Sequence, residues 1–450
     1  MMAMSQTARL LDGELNGSDV EFDHVAIDTR SLQPGSIYFA IKGDRFDGHD
    51  FLKQAKEAGA VGAVVERFSE LNLTQIKVTD TRKALGDLAA NWRKQFKGLV
   101  VGITGSNGKT TVKEMTAAIF AKQGDVLATR GNFNNDIGLP LTLLRIEKNH
   151  DFAVIEMGAN HKGEIDALTH ITKPDIAVIT NAGSAHLEGF GSRQGIAEAK
   201  GEIFSGLSEK GIAVINADDD YADYWLDLCK AKKIIRFSLA NNTADVTGEW
   251  QSICDGGKLK VHTESGDIEI TLKVPGRHNA MNALAAIAVA MAANISLQNI
   301  KQALDEFKSV KGRLDIHTTD GGVKIIDDTY NANPESLLAG LDVLMGMSGK
   351  HWLVLGDMGE LGSYSGQLHK DVGLTAKQMG VDCLYAVGED NKAAVEMFGQ
   401  GGRHFSDQNA LINYLTKMMC GDLNILVKGS RFMQMEKVVD ALIKGDKSCC

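Results

Sequence analysis

The eight residues Thr104-Gly105-Ser106-Asn107-Gly108-Lys109-Thr110-Thr111 have the types and spacing of a loop that grips phosphate. Glycines let backbone N–H groups point at phosphate oxygens, and a following helix adds the favourable partial charge of its N-terminus. Lys109 would reach the β- and γ-phosphates of a nucleotide, and the Thr110 hydroxyl would be a ligand for Mg²⁺. Ile103 stands where the GxxxxGK[ST] spacing has its first glycine, which reduces the motif to GxxGKT. The context supplies what the motif lacks. An apolar run, Leu99-Val100-Val101-Gly102-Ile103, precedes it, and Val112, Met115 and Ile119 follow at helical spacing.

Other polar residues stand where a ligand would reach them. Glu156 ends the apolar run Phe152-Ala153-Val154-Ile155, where an unpaired acid is costly. Asn279 and Asn282 are three apart, so one helical face presents both amides; the alternative is an N-cap and a surface polar residue. Arg30 and Lys42 carry charge suited to a pyrophosphate, and Gly43 allows close backbone approach. Asn331, Asn333 and Asp357 fall near expected strand ends, the usual ligand edge of an α/β sheet. Lys200, in an apparent helix over Gln194–Leu207, reads by itself as a solvated lysine.

These residues need an α/β framework to hold them. Short apolar runs, Ser36–Ile41 and Ala63–Val65, flank an expected helix over Phe51–Ala58. The polar stretch Thr79–Arg82 reads as a boundary, followed by a helix over Ala84–Phe96. From Leu99 onward, buried-strand runs (also Ile176–Ile179 and Ile212–Ile215) alternate with helical stretches, which implies right-handed crossovers and a mostly parallel sheet. Residues 240–275 alternate apolar and polar and suggest an antiparallel addition, and an alanine-rich helix spans Ala280–Ala293. Expected strands Val323–Ile326, Trp352–Leu355, Leu384–Val387 and Ile425–Val427 make a third unit. The fold class is therefore α/β with three α/β domains over 1–82, 83–312 and 313–450: the central one has a P-loop ATPase-like, mostly parallel sheet, and the C-terminal one is Rossmann-like.

Composition sets limits on this reading. The 450 residues are enough for about three domains, each able to bury its own core. A net charge of −10 argues against a nucleic-acid surface. No run approaches the ~20 apolar residues of a membrane span, so no membrane insertion is expected. Six scattered cysteines without a CxxC pair read as reduced thiols of a cytoplasmic protein.

The loop TGSNGKTT resembles that of the Mur ligases and their folyl-polyglutamate synthase relatives, which join an amine to a carboxylate using ATP. Further motifs extend the resemblance over nearly the whole chain. Gly131-Asn132-Phe133-Asn134-Asn135-Asp136 is similar to the family's glycine/asparagine loop, which brings Asn134 and Asn135 toward substrate. Glu156-Met157-Gly158, Asn181-Ala182-Gly183-Ser184-Ala185-His186, Ala199-Lys200-Gly201-Glu202, Gly276-Arg277-His278-Asn279 and Lys311-Gly312-Arg313 match as well. The resemblance implies ATP and Mg²⁺, with Glu156, His186 and a carbamylated Lys200 joining Thr110 around the metal. Lys109, Glu156, His186 and Lys200 would be the catalytic set. It implies adenine contacts from Asn279 and Asn282, a γ-phosphate contact from Arg313, and ribose contacts from Asp328. Arg313 and Asp328 would swing toward Lys109 as domains close. Asp28-Thr29-Arg30-Ser31, Lys42-Gly43 and Phe46-Asp47-Gly48-His49 match the end that holds a uridine diphosphate, making Thr29, Arg30, Lys42, Gly43, Asp47 and His49 substrate residues.

Asp327-Asp328-Thr329-Tyr330-Asn331-Ala332-Asn333-Pro334-Glu335-Ser336 and Leu355-Gly356-Asp357-Met358-Gly359-Glu360 resemble the branch that adds D-alanyl-D-alanine to UDP-N-acetylmuramoyl-tripeptide. The DNPR string of the tripeptide-forming branch is absent. Within this resemblance Asp357 would bind the dipeptide amine, Asn331 and Asn333 would hold the peptide, and Ser430 or Arg431 its carboxylate. A monomer acting on these two small molecules is expected. Alternatives are another ligase of the superfamily, folyl-polyglutamate synthase-like, or a nucleotide-driven switch or motor ATPase. A guanine-specific switch should carry NKxD, and only Asn391-Lys392-Ala393-Ala394 occurs; a nicotinamide oxidoreductase lacks its GxGxxG.

Overall fold

The computed structural model describes residues 2–43, 45–183, 187–230, 232–253 and 256–445. Among these residues the strands form three large sheets and one short two-stranded ribbon.

The first sheet runs in the order Glu14–Asn16, Thr74–Lys77, Gly62–Val65, Ser36–Phe39, His24–Ala26. Its strands are parallel except for Glu14–Asn16. The expected helix over Phe51–Ala58 is a 3-10 turn, Gly48–Phe51, leading into Leu52–Glu57. The polar stretch near residue 80 is a helix cap: the Asp80 carboxylate accepts from the N–H groups of Arg82 and Lys83, and the helix Thr81–Gln95 begins there. That helix spans the expected junction at 82/83. Its Ala84, Leu85 and Leu88 pack with Phe39, Val64 and Ile76, whereas Ala89 joins the core of the central unit.

The central sheet has nine strands among the described residues. Its order is Gly266–Leu272, Gly256–Thr263, Val246–Ile253, Lys233–Ser238, Ile212–Asn216, Ile176–Ile179, Leu99–Thr104, Phe152–Glu156, Val126–Ala128. The last six are mutually parallel, and the first three form the antiparallel addition that alternation over 240–275 suggests. Helices cover both faces, which is why the middle strands are apolar except at their carboxyl ends. Val101 and Ile103 face the helices Lys109–Phe120 and Arg277–Ala292. Val100 faces the opposite layer, with Ile165, Ile196 and Trp225.

The alanine-rich helix starts at Arg277, three residues earlier than its composition suggests, because Gly276 takes φ +94° and turns the chain into it. The third sheet is ordered Asp315–Thr318, Lys324–Asp328, Leu423–Lys428, Lys350–Leu355, Cys383–Val387, Gly402–Phe405, and is parallel after its first strand. No helix among the described residues is long and apolar enough to cross a membrane.

Candidate functional site

The phosphate loop leaves the carboxyl end of the strand Leu99–Thr104 and enters the helix Lys109–Phe120. Gly105 and Gly108 take φ +145° and +82°. A Cβ at Gly105 would collide with the Thr180 hydroxyl, and one at Gly108 with the Asn282 amide oxygen. Glycine is therefore required at both positions by conformation and by space. The loop is pinned from the neighbouring strand end. Asn107 N–H donates to Asn181 Oδ1 at 2.9 Å, Asn107 O accepts from Thr180 Oγ1 at 2.6 Å, and Ser106 Oγ donates to Gly183 O at 3.0 Å. Thr104 Oγ1 donates to Met157 O, and Thr111 is buried one residue beyond Thr110. Lys109 Nζ donates to Gly105 O and Ser106 O at 2.6 and 3.0 Å. Burial and the nearby Arg313 push its pKa down to about 8, while Glu156 and Glu360 oppose the shift.

Glu156 stands at the carboxyl end of the adjacent strand and is only 2% exposed. Its two oxygens are both engaged: Oε2 accepts from Thr110 Oγ1 at 2.9 Å, and Oε1 accepts from Asn134 Nδ2 at 2.8 Å. Asn135 Oδ1 accepts from Gly138 N–H and starts the next helix. Arg313 Nη2 donates to the same Thr110 hydroxyl at 2.9 Å, and its guanidinium lies 4.2 Å over the Tyr330 ring. Arg313 Nε is buried without a partner among the described residues. Thr110 thus joins the phosphate loop, the carboxylate and an arginine of the third unit. One carboxylate and one hydroxyl beside a phosphate loop is the sparse oxygen set that Mg²⁺ takes together with phosphates and water.

Lys200 is buried at 1% exposure, contrary to the solvated reading of a lone helical lysine. The helix is shorter than expected, Arg193–Gly201, and tightens into the 3-10 turn Glu202–Gly206. The ammonium lies 5.2 Å over the Phe190 ring. Burial first, then the charge of Lys109, lower its pKa to about 7, against Glu164 and Glu202. His186 lies outside the described residues. Among those described, no group of three or more His, Cys, Asp or Glu side chains is arranged to hold a metal ion.

The third unit presents its strand ends to this loop. Asp328 and Lys428 are register partners on adjacent strands and form a buried ion pair. Lys428 Nζ also donates to Asn331 O at 3.0 Å. His278, in the first turn of the alanine-rich helix, is enclosed nearby; burial lowers its pKa to about 4 against the pull of Asp328. Asn282 donates to Asn279 Oδ1 at 3.1 Å, and Asn279 donates to Pro275 O at 2.8 Å. Both are buried, so the N-cap reading does not hold: Gly276 takes that position.

The two substrate ends are less convergent. Arg30 forks onto Asp28, with Nη2 at 2.6 Å, and is exposed beside half-buried Thr29. The backbones of Lys42 and Asp47 pair as an isolated antiparallel β-bridge, and Gly43 N–H donates to Phe46 O at 2.9 Å, which makes a tight turn. Asp47 accepts from His49 N–H and from Arg67, and these bonds hold its carboxyl below the usual range. His49 is buried and its Nε2 accepts from Glu66 N–H.

In the third unit, Asp357 accepts from Asn391 N–H at 3.0 Å, and Ser430 Oγ accepts from Gly359 N–H at 2.7 Å. Arg431 is exposed and paired with Glu436. Asn333, expected at the dipeptide, contacts the phosphate loop: Nδ2 donates to Asn107 Oδ1 at 2.8 Å. Sequence reasoning gave no role to Thr129, Thr180, Asn181, His278 or Lys428. Thr129 Oγ1 accepts from Glu156 N–H, and Thr129 O accepts from the buried Lys113. His278 lies inside the string Gly276–Asn279 that carries the resemblance, and Lys428 directly follows the expected strand Ile425–Val427.

Three family models match successive stretches of the chain. The Mur ligase family catalytic domain matches residues 21–93, the Mur ligase middle domain 103–290, and the Mur ligase glutamate ligase domain 312–431. The UDP-N-acetylmuramoyl-tripeptide–D-alanyl-D-alanine ligase of Escherichia coli K12 is 46% identical over 98% of both chains. A crystal structure of MurF from Acinetobacter baumannii superimposes with TM-score 0.92 at 36% identity over 98% of both chains. The MurF ligase of Thermotoga maritima in complex with ADP is 29% identical, with TM-score 0.85 over 94% of this chain and 97% of that one.

Proposed function

This chain belongs to the Mur ligase family, in its UDP-N-acetylmuramoyl-tripeptide–D-alanyl-D-alanine ligase branch, and from that premise we propose how its residues divide the work. The protein is an ATP-dependent ligase that adds D-alanyl-D-alanine to UDP-N-acetylmuramoyl-tripeptide in peptidoglycan precursor synthesis. The tripeptide carboxylate oxygen attacks the γ-phosphorus, ADP leaves, and an acyl phosphate forms. The dipeptide amine then adds to the acyl carbon, its nitrogen gives up a proton to solvent, and the C–O bond breaks to release phosphate and leave an amide.

Joining two anions is the first obstacle, and cations offset it. The observation that carries the assignment is the convergence on Thr110, where the phosphate-loop hydroxyl meets both Glu156 and Arg313. The N–H groups of Gly108, Lys109, Thr110 and Thr111, where the loop enters its helix, and the Lys109 ammonium cradle the β- and γ-phosphates. The unpartnered Arg313 Nε adds charge at the γ-phosphate. Thr110, Glu156 and a carbamylated Lys200, with His186, would hold Mg²⁺. When bound, the metal neutralises charge on the phosphates and the attacking carboxylate. The buried, part-neutral Lys200 supports carbamylation, because only the uncharged amine reacts with CO₂. Asn279 and Asn282 face the adenine and Asp328 the ribose. Thr29, Arg30, Lys42, Gly43, Asp47 and His49 line the uridine end, with Asn134 and Asn135 beside the tripeptide. Asn331, Asp357, Ser430 and Arg431 take the dipeptide. The division into 1–82, 83–312 and 313–450 follows these three tasks, and both substrates and the free thiols fit the cytoplasm.

Lys109 gives this reading a pH signature. Its pKa of about 8 means that the ammonium needed at the phosphates is lost as pH rises through 8. The value of kcat/KM for ATP should then fall toward tenfold per pH unit above that point. Lys109→Arg, whose guanidinium stays charged, should remove this limb even if its rate is lower. A Lys109→Arg profile with the same limb as wild type would assign the titration elsewhere. The function itself is tested by phosphate release with ATP, Mg²⁺ and the tripeptide nucleotide. Release should require D-alanyl-D-alanine, and release that ignores its omission would contradict a ligase.

A further inference from the structure

Asn333 sits at the junction between the third unit and the phosphate loop with every polar atom of its amide committed. It caps the helix Pro334–Met345: Oδ1 accepts from Ser336 N–H at 2.8 Å, and its own N–H donates to Ser336 Oγ at 3.1 Å. The cap fixes which way the amide points. Nδ2 is left to donate to Asn107 Oδ1 at 2.8 Å, across 226 residues of sequence. Asn107 is equally determined from its own side, since Asn181 and Thr180 hold its backbone N–H and C=O.

The segment that leads to Asn333 is also clamped. Lys428 bonds Asn331 O, Ser430 Oγ donates to Ala332 O at 3.3 Å, and Tyr330 stacks on Arg313. The third unit therefore grips the phosphate loop at two points, Arg313 on Thr110 and Asn333 on Asn107, and one short segment connects the grips.

We propose that Asn333 is a positioning residue for phosphoryl transfer: its amide, donated to Asn107, latches the third unit onto the phosphate loop and holds Arg313 in register with the γ-phosphate. The inference rests on the ATP-dependent ligase reading. It separates Asn333 from the dipeptide site, where its sequence neighbourhood would put it. A latch of this kind acts on the closed arrangement in which chemistry occurs, so its loss lowers kcat rather than ground-state binding of the dipeptide.

Asn333→Ser provides the test. Serine caps a helix about as well as asparagine, but its hydroxyl is too short to reach Asn107 as well. One hydrogen bond in the transition state corresponds to roughly a tenfold loss of kcat. KM for D-alanyl-D-alanine and the thermal midpoint should stay near wild type. Asn107→Ala should cost a similar factor, and the Asn107→Ala/Asn333→Ser double variant no more than either alone, because both remove the same bond. Wild-type kcat in Asn333→Ser, a raised KM for the dipeptide with kcat kept, or multiplicative losses in the double variant would each overturn the latch. Failure of the ligase reading would show separately, as absent dipeptide-dependent turnover in the wild-type protein.

Discussion

Glu156→Gln is expected to lower ligation by roughly 10³-fold while leaving the fold intact. Glu156 sits at a strand end with both oxygens accepting hydrogen bonds, from Thr110 and from Asn134. Glutamine keeps the shape and one acceptor. Its NH₂ can face the Thr110 hydroxyl, which accepts as well as donates. The cost in stability is then about 1 kcal/mol, the scale of one hydrogen bond. The cost in activity is different in kind, since the buried carboxylate touching the phosphate-loop hydroxyl has been neutralised, and a divalent ion held there would depend on that charge. The rate should recover in part at high Mg²⁺, with a raised half-saturating concentration. Rates measured against Mg²⁺, alongside thermal midpoints, check this. An unchanged Mg²⁺ requirement would show that Glu156 does not hold the metal.

Lys200 carries the second large effect, because its sequence context and its surroundings point in opposite directions. A lysine ending a short helix should be solvated, yet here it is buried against Phe190 with a pKa near 7. Keeping a cation in such a place is costly. A neutral amine attacking CO₂ loses its proton and becomes a carbamate, an anionic oxygen donor that a nearby Mg²⁺ would stabilise. Lys200→Ala should therefore lose at least about 10²-fold in kcat, the scale of one electrostatic group in a preorganised site. Lys200→Glu restores a carboxylate on a shorter stem and should retain more activity. Stripping CO₂ should lower wild-type activity, bicarbonate should restore it, and neither treatment should affect Lys200→Glu. Equal, near-wild-type activity of both variants would end the carbamate account.

The contrast between these two residues shows how much of the site is legible before folding. The phosphate loop can be read because its chemistry is local: two glycines, a lysine and a threonine, with a strand before and a helix after. Glu156 can be read for a related reason, since an acid ending an apolar strand must be paired. The middles of the three sheets follow from buried-strand runs, whereas short strands such as Glu14–Asn16, His24–Ala26, Val126–Ala128 and Gly402–Phe405 are too brief to stand out in the sequence. The boundary near residue 80 is a cap because Asp80 bonds forward within its own helix.

Lys200 cannot be read from its helix, because burial depends on what packs over it. The same holds for Asp328, whose partner Lys428 is brought alongside by strand pairing a hundred residues away. Asn333 was legible as a polar residue at a strand-to-helix turn, but not as a contact of the phosphate loop. Arg30 and Arg431, expected at a pyrophosphate and at the peptide carboxylate, are each paired with a nearby acid, Asp28 and Glu436.

The tripeptide carboxylate must be activated by phosphorylation before the dipeptide amine attacks. Tripeptide nucleotide carrying ¹⁸O in its reacting carboxylate, turned over with ATP, Mg²⁺ and D-alanyl-D-alanine, tests it directly by mass analysis of the released phosphate. The account requires the carboxylate oxygen that bonds phosphorus to leave with it, so each phosphate formed should carry one ¹⁸O. Phosphate free of the label, formed at the rate of ligation, would contradict it.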